Sequence, residues 1–321
     1  MTSKKVLVTG TSVRQDLLQP LIDAGFTVEN PVHLLSESEL KIHLSDSIAY
    51  LLGGDEFASR EALSTANNLK IIAFLGMGYQ SFIDTEAATD MKIAVTNTPG
   101  TLSNSVAEFT TGLLLSGTRR LFDYGIRYMS GKVGEEEKQH DLSDLHVGIL
   151  GLGGIGTRIA EILRRGFGSQ VSYFSRTRKP AVEEALGISF VEIPLLLESV
   201  NVLVLMTPST PETTGLIGID EVKKMKPGVI VINTARPEIM TVESLRYGLE
   251  SGIISYAAFD GFYEDSEDVS FIKGLSPEKI MITGHIGSLT HEARDGMAKK
   301  AVRSIINVVK NGTDENIVNK I

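Results

Sequence analysis

A regular alternation of short apolar runs with helical patterns is the feature that most constrains how this chain can fold. Such alternation is typical of parallel β-strands joined by crossover helices that cover both faces of a sheet. It predicts two successive sheets, with a long helix over residues 105–121 between them and a closing helix over residues 290–311. The predicted strands are residues 5–9, 27–30, 47–52, 69–75 and 93–96 in the first sheet, and residues 146–150, 170–174, 202–206, 228–233, 255–259 and 279–283 in the second.

The composition is that of a protein with ordinary globular domains. With 321 residues, 42% of them hydrophobic, the chain is long enough for two domains with buried cores. It has no cysteine, which excludes disulfides and thiolate metal sites, and we predict no metal. A net charge of -9 disfavours nucleic acid as a partner, because such binding depends on a basic face. No long apolar span or secretion leader is apparent, so we expect a cytoplasmic protein without a membrane partner.

The residues at which the apolar runs of the second sheet end are chemically informative. In open parallel sheets, ligands bind beyond the carboxyl ends of the strands. An Arg, an Asp and a His at successive strand ends are suited to bind an anion and move a proton, although polar residues also end strands for no functional reason. The six residues at these ends are Gly151, Ser175, Pro208, Arg236, Asp260 and His285.

The sequence GLGGIG at residues 151–156 follows a predicted buried strand and precedes a helical pattern. In that context it indicates a dinucleotide-binding turn, where glycines allow a tight turn and a close approach of the backbone to a pyrophosphate. The alternative is a tight turn without a ligand. The predicted cofactor contacts in this turn are Gly151, Gly153, Gly154, Ile155 and Gly156.

The second strand of this sheet ends in Ser175, Arg176, Thr177 and Arg178. A dinucleotide site for NAD normally has Asp or Glu here to hold the ribose hydroxyls, whereas an Arg accommodates the 2′-phosphate of NADP. The guanidinium and hydroxyl groups therefore predict a site that prefers NADP. The alternative is that the arginines are solvated surface charges and that NAD binds.

These features together resemble the D-isomer-specific 2-hydroxyacid dehydrogenases, and the resemblance extends over nearly the whole chain. Residues 69–112 resemble the family's substrate loop and linking helix, and TPET at 210–213 its adenine-side loop. NTAR at 233–236 and HIGS at 285–288 resemble its arginine and histidine motifs. The resemblance implies an α/β fold of two doubly wound parallel-sheet lobes, a Rossmann cofactor domain (residues 100–287) inserted into a flavodoxin-like substrate domain (residues 1–99 and 288–321), with the active site in the cleft.

The resemblance also implies roles for individual residues. Arg236 would bind the substrate carboxylate and its 2-oxygen, and His285 would exchange a proton with that oxygen. Asp260 would hold the nicotinamide carboxamide. The remaining implied contacts are Thr110, Thr207, Pro208, Thr213, Thr234 and Ala235 for the cofactor, and Gly53, Met77 and Gly78, together with Arg236 and His285, for the substrate.

Three substitutions depart from the family pattern, and residues 78–84 carry one extra residue compared with the usual spacing. Asp265 occupies the place where a Glu usually pairs with the histidine, and Glu264 is an alternative partner. Pro237 follows the arginine in place of a Gly, so the geometry of that loop must differ. Gly284 precedes the histidine in place of a Pro, which gives its loop more freedom.

These features predict an NADP-preferring oxidoreductase that transfers a hydride between nicotinamide and C2 of a small 2-keto or 2-hydroxy acid, similar to glyoxylate or hydroxypyruvate. Asp55 and Glu56 in the loop 52–57 would repel a phosphorylated substrate. Two alternatives are a phosphoglycerate dehydrogenase-like activity and a dinucleotide-sensing, corepressor-like binding module without turnover. We also expect a homodimer, because the helix 105–121 carries more apolar surface than one lobe can cover.

Overall fold

The protein is described here by a computed structural model that covers residues 4–10, 13–132, 139–264, 266–275 and 277–321. The chain divides into two compact units. The terminal unit consists of Met1–Leu102 and Leu289–Ile321, and the central unit consists of Ser103–Ser288. The divisions expected from the sequence, after residues 99 and 287, differ from these by a few residues.

The terminal unit is built around a parallel sheet of five strands in the order β2-β1-β3-β4-β5. Apolar side chains on both faces form two cores, one of which includes the C-terminal helix α13. This strand order is that of flavodoxin-like folds. The elements are β1 Lys5–Val8, α1 Gln15–Asp23, β2 Thr27–Glu29, α2 Glu37–Leu44, β3 Ser47–Leu52, α3 Arg60–Leu63, β4 Ile71–Phe74, α4 Thr85–Asp90, β5 Ala94–Thr96 and α13 His291–Asn311.

The central unit contains a parallel sheet of seven strands in the order β12-β11-β10-β9-β6-β7-β8. The chain direction across the sheet reverses between β6 and β9, which is the point where doubly wound Rossmann folds bind their ligand. The elements are α5 Ser103–Arg119, α6 Leu121–Met129, β6 His146–Leu150, α7 Gly154–Ile162, β7 Gln170–Phe174, α8 Pro180–Leu186, β8 Ser189–Phe190, α9 Ile193–Ser199, β9 Val202–Leu205, α10 Ile219–Lys224, β10 Val229–Asn233, α11 Val242–Ser251, β11 Ile254–Asp260, α12 Glu267–Lys273 and β12 Ile280–Thr283.

The fold class predicted from the sequence is confirmed, with two local differences. The helix predicted over residues 105–121 corresponds to α5, which ends at Arg119, because Arg120 adopts a left-handed conformation with φ of 52° before a second helix, α6, begins. The two-residue strand β8 was not predicted from the sequence. No helix among the described residues is long and apolar enough to cross a membrane. The polar sequence of residues 131–144 predicts a loop, and part of this stretch lies outside the described residues.

Candidate functional site

The carboxyl edge of the central sheet brings the predicted charged residues onto neighbouring strands. Arg236 follows β10, Asp260 is the last residue of β11, and His285 comes shortly after β12. These three strands are adjacent and parallel. Because parallel strands end at the same edge of a sheet and adjacent strands lie about 4.8 Å apart, the three loops lie close together at one edge.

The glycine turn after β6 has the backbone that a dinucleotide requires. Gly151 has φ of 109°, and a Cβ there would lie 2.6 Å from the carbonyl of Met206. A Cβ at Gly156 would lie 2.2 Å from the carbonyl oxygen of Gly151, whereas a Cβ at Gly153 would meet no atom of the described residues within 4 Å. Helix α7 begins without a side-chain cap, so its first N–H groups are available to an anion. These residues fit the pyrophosphate of a dinucleotide.

The two arginines after β7 differ in their surroundings. Arg178 forms an ion pair with Glu183 of α8 at 2.7 Å, and its guanidinium lies 5.8 Å from the ring centre of Phe190. Arg176 is exposed, and the hydroxyl of Ser175 donates to the carbonyl of Thr177 at 2.7 Å. The structure therefore places Arg178 in a contact that the sequence analysis did not foresee.

Two of the predicted cofactor residues lie side by side. The hydroxyls of Thr110 on α5 and Thr234 after β10 are 2.7 Å apart. Thr213 organises its own loop, because its hydroxyl donates to the carbonyl of Pro208 at 2.6 Å and accepts from the N–H of Thr210 at 2.8 Å. Cofactor contacts by these residues, and by Thr207 and Ala235, stay predictions.

Arg236 is half-buried and lies on a loop that is held by hydrogen bonds among its own residues. Burial lowers the pKa of its guanidinium, and the charge of Glu238 acts in the opposite direction. One terminal nitrogen donates to the carbonyl of Ala235 at 2.8 Å. Among the described residues, no carboxylate forms an ion pair with this guanidinium. Such a cation is suited to bind an anionic ligand, because no carboxylate of the described residues forms an ion pair with it.

The loop of Arg236 depends on a residue that the sequence analysis did not single out. Asn233, only 1% exposed, donates from Nδ2 to the carbonyl of Arg236 at 2.9 Å and accepts from the N–H of Ala235 at 3.1 Å. Pro237 begins a short 3-10 helix, Pro237–Ile239, where its missing N–H costs no hydrogen bond. The sequence signal for Asn233 was its position as the last residue of a buried strand.

His285 lies on an exposed loop with an unusual backbone. Its φ is 57°, in the left-handed region that side-chain-bearing residues seldom adopt. Asp260, predicted to contact the cofactor, accepts hydrogen bonds from this loop, including the N–H of Ile286 at 2.8 Å and that of Gly287 at 2.7 Å. Glu264 is exposed and Asp265 lies outside the described residues, so the choice between them as partner of His285 stays a prediction.

The predicted substrate-binding residues Gly53, Met77 and Gly78 belong to the terminal unit. Gly53 packs closely against the chain, since a Cβ there would lie 2.8 Å from the carbonyl oxygen of Thr9. The side chain of Met77 is exposed. Substrate binding by these three residues stays a prediction. In neither unit do the described His, Asp and Glu side chains form a group of three suited to a metal.

Comparison with known proteins gives a consistent assignment. Residues 111–287 match the family model described as the D-isomer specific 2-hydroxyacid dehydrogenase, NAD binding domain. The chain is 37% identical to a glyoxylate reductase of Thermococcus litoralis, over 81% of this chain and 80% of the relative. It is 30% identical to glyoxylate/hydroxypyruvate reductase B of Shigella boydii, over 98% of each chain.

A solved structure gives the same result for the fold. The crystal structure of a glyoxylate reductase from Paecilomyes thermophila superposes with a TM-score of 0.85 and 26% identity, covering 100% of this chain and 99% of the other. The family model, the relatives and the fold all indicate the same family. The chain belongs to the D-isomer-specific 2-hydroxyacid dehydrogenases, which are NAD(P)-dependent oxidoreductases.

Proposed function

We propose that this dehydrogenase reduces a small, unphosphorylated 2-keto acid of the glyoxylate or hydroxypyruvate type and prefers NADPH as the reductant. The observation that carries the proposal is Arg236, a half-buried guanidinium without a carboxylate partner among the described residues. It lies in the loop after β10, the strand next to the one that ends in Asp260. A planar guanidinium pairs with the carboxylate and the 2-oxygen of an α-keto acid through parallel hydrogen bonds. The relatives named as glyoxylate reductases support this substrate class.

The two charged residues have separate tasks in the proposed reaction. Arg236 binds the keto acid and stabilises the negative charge that develops on its 2-oxygen as the hydride arrives. The imidazole of His285 donates a proton to that oxygen, since imidazole titrates near neutral pH. The bound nicotinamide supplies the hydride. In the reverse direction, His285 accepts the hydroxyl proton.

The cofactor preference rests on the residues after β7. Where an NAD site has a carboxylate, this chain has Ser175, and the exposed Arg176 follows it. Residues 175–178, which follow this strand, include no Asp or Glu to repel a 2′-phosphate, and the guanidinium of Arg176 is present to bind it. Arg176 rather than Arg178 is the proposed phosphate ligand, because Arg178 is already paired with Glu183.

The deciding experiment follows NADPH absorbance across glyoxylate, hydroxypyruvate, pyruvate, phosphohydroxypyruvate and bulkier 2-keto acids. We expect the first two to be the best substrates. A clear preference for phosphohydroxypyruvate would assign a phosphoglycerate dehydrogenase-like activity instead. No turnover with any acid, combined with a rise in melting temperature on adding NADPH, would favour a dinucleotide-sensing module.

One variant and its control test whether His285 takes part in the reaction. His285→Ala is expected to lose turnover while the rise in melting temperature with NADPH survives, because the imidazole acts on the substrate. Arg165→Ala is the control, since Arg165 is an exposed residue paired with Glu161 on the preceding helix α7. It is expected to keep full activity. Turnover retained by His285→Ala would remove this residue from the mechanism.

A further inference from the structure

The carboxylate of Asp260 is occupied by the loop that carries His285. Its Oδ1 accepts from the hydroxyl of Thr283 and from the N–H of Ile286, both at 2.8 Å, and its Oδ2 accepts from the N–H of Gly287 at 2.7 Å. The residue is only 5% exposed. The donors lie on both sides of His285 in the sequence, so one buried carboxylate holds both ends of this turn.

The turn needs such support. At φ of 57°, His285 adopts a left-handed conformation that is energetically unfavourable for a residue with a side chain. The preceding Gly284 does not restrict the backbone, and a Cβ there would meet no atom of the described residues within 4 Å. Hydrogen bonds to an ionised acceptor in a buried site are strong enough to offset this cost.

Gly287 shows how closely the loop is held against the carboxylate. A Cβ on this residue would lie 2.9 Å from Oδ2 of Asp260 and 3.2 Å from the ring of Phe109. A side chain at position 287 would therefore force the N–H away from its acceptor. The absence of a side chain here lets the backbone approach Asp260 to hydrogen-bond distance.

We propose that Asp260 is a positioning residue that fixes the left-handed turn at His285 and thereby the direction of its imidazole. This inference rests on the proposed reduction of a 2-keto acid. A carboxylate has about four acceptor positions, and the loop takes three of them, so one remains on Oδ2 for a cofactor amide. Asp260 thus acts first on the loop of the proton donor, and binding of the carboxamide is a secondary task.

Three graded variants test the proposal by steady-state kinetics and by NADPH dissociation constants. Asp260→Asn presents an amide that cannot accept all of these bonds, and we expect kcat to fall by about a hundredfold, the effect of a misplaced catalytic group. Gly287→Ala is expected to lower kcat in the same way without touching the carboxylate. Thr283→Val removes only the hydroxyl donor and is expected to lower kcat about fivefold, because the two backbone bonds remain.

In all three variants the NADPH dissociation constant is expected to change by less than about threefold, which is under 1 kcal/mol. The control is Asp220→Asn, an exposed aspartate in α10 that pairs with Lys223. An Asp260→Asn enzyme that binds NADPH much more weakly but keeps kcat at saturating cofactor would overturn the proposal and assign the carboxylate to the cofactor.

Hydrogen exchange of the unliganded protein separates this inference from the proposed function. The amides of Ile286 and Gly287 are expected to be protected in the wild type and to exchange at least about tenfold faster in Asp260→Asn, the equivalent of losing 1.4 kcal/mol. Equal protection in both proteins would show that Asp260 does not hold the loop, whatever the activity. A wild type that is inactive on every keto acid yet shows this protection would contradict the proposed function alone.

Discussion

Arg178 and Glu183 form a bidentate ion pair at the edge of the predicted cofactor site. Nε of Arg178 donates to one carboxylate oxygen at 2.9 Å, and a terminal nitrogen donates to the other at 2.7 Å. Hydrogen bonds from Arg178 and from the hydroxyl of Tyr173 lower the pKa of Glu183, although partial burial opposes this shift. Because Glu183 already compensates the charge of Arg178, this guanidinium is a weaker ligand for a phosphate than one without a carboxylate partner.

The first prediction concerns the cofactor. Arg176→Ala is expected to weaken NADPH binding by about tenfold, the loss of one charge-assisted hydrogen bond, and to leave NADH binding nearly unchanged. Arg178→Ala is the matched variant and is expected to alter both affinities by a similar, smaller factor. Fluorescence titration of both dinucleotides measures these constants. A larger selective loss in Arg178→Ala would identify that residue as the phosphate ligand.

The alternation of strands and helices was enough to predict the two sheets and the common edge of Arg236, Asp260 and His285, because parallel strands end at the same side of a sheet. The glycine turn was predicted from the sequence GLGGIG between a strand and a helix. The pairing of Arg178 with Glu183 could not be read from the sequence. It depends on where α8 lies, which is a matter of tertiary packing.

Three further features of the structure could not be predicted from the sequence, because they also depend on local backbone geometry or tertiary contacts. The break at Arg120 needs a left-handed residue that carries a side chain, and helical periodicity does not reveal it. The strand β8 is too short to produce a pattern. The side chain of Asn233 bonds backbone atoms two and three residues ahead in its own loop, and the carboxylate of Asp260 bonds backbone N–H groups of a loop 26 and 27 residues ahead. The pattern of strands and helices predicts neither contact.

The second prediction concerns the loop of Arg236. Asn233→Asp keeps the shape of the side chain but places an oxygen where Nδ2 donates to the carbonyl of Arg236. Two acceptors then face each other in a buried position, so we expect the loop to shift and kcat/KM for the keto acid to fall by at least about tenfold, since an unsatisfied buried group costs 1 to 3 kcal/mol.

If Asn233 positions the loop of Arg236, the substitution should impair use of the keto acid and leave NADPH binding nearly unchanged. The NADPH dissociation constant of Asn233→Asp is expected to stay within a few-fold of the wild type. Asn201→Asp provides a comparison, because Asn201 also lies beside the central sheet and accepts from the N–H of His146 through its side-chain oxygen, which the substitution retains. Unchanged kcat/KM in Asn233→Asp would show that the loop does not depend on this bond.

The third prediction concerns assembly. The apolar side chains of α5, such as Leu113 and Leu114, are buried, so the expected apolar surplus does not lie on that helix. It lies on α6, where Tyr128 is 83% exposed and Met129 is 82% exposed, with Leu121, Phe122 and Ile126 also exposed. We propose that a second copy of the chain covers this face, because exposed apolar patches mark interfaces and symmetric dimers are the commonest oligomers.

Light scattering on the wild type is expected to give the mass of two 34.8 kDa chains. The double variant Tyr128→Glu, Met129→Glu is expected to shift the protein to monomer with its fold retained, since both side chains are exposed. A substitution at another exposed apolar residue, Val32→Glu, is the control and is expected to leave the mass unchanged. A monomeric wild type would contradict the proposal.

The last prediction concerns the effect of pH on stability through Asp314 in the terminal unit. Burial acts to raise the pKa of this carboxylate, but hydrogen bonds from Asn307, Ser304 and the backbone and side chain of Asn316 lower it below its ordinary value. A carboxyl group whose pKa is lowered by folding stabilises the protein above its unfolded pKa of about 3.9. That contribution is lost as the pH falls through the lower value in the folded protein.

Asp314→Asn replaces the charged acceptor with an amide that faces several donors. At pH 7 we expect the free energy of unfolding to fall by about 2 kcal/mol, the cost of weakening hydrogen bonds to a buried charge. As the pH falls below the unfolded value of about 3.9, the unfolded wild type takes up the proton first and the contribution of the charge declines, so the difference between the two proteins should shrink. Urea unfolding at pH 7, 5 and 3 measures this, with the exposed Asp55→Asn as control. A difference in unfolding free energy that stays constant down to pH 3 would mean that Asp314 stabilises the terminal unit by the shape of its side chain and not by its charge.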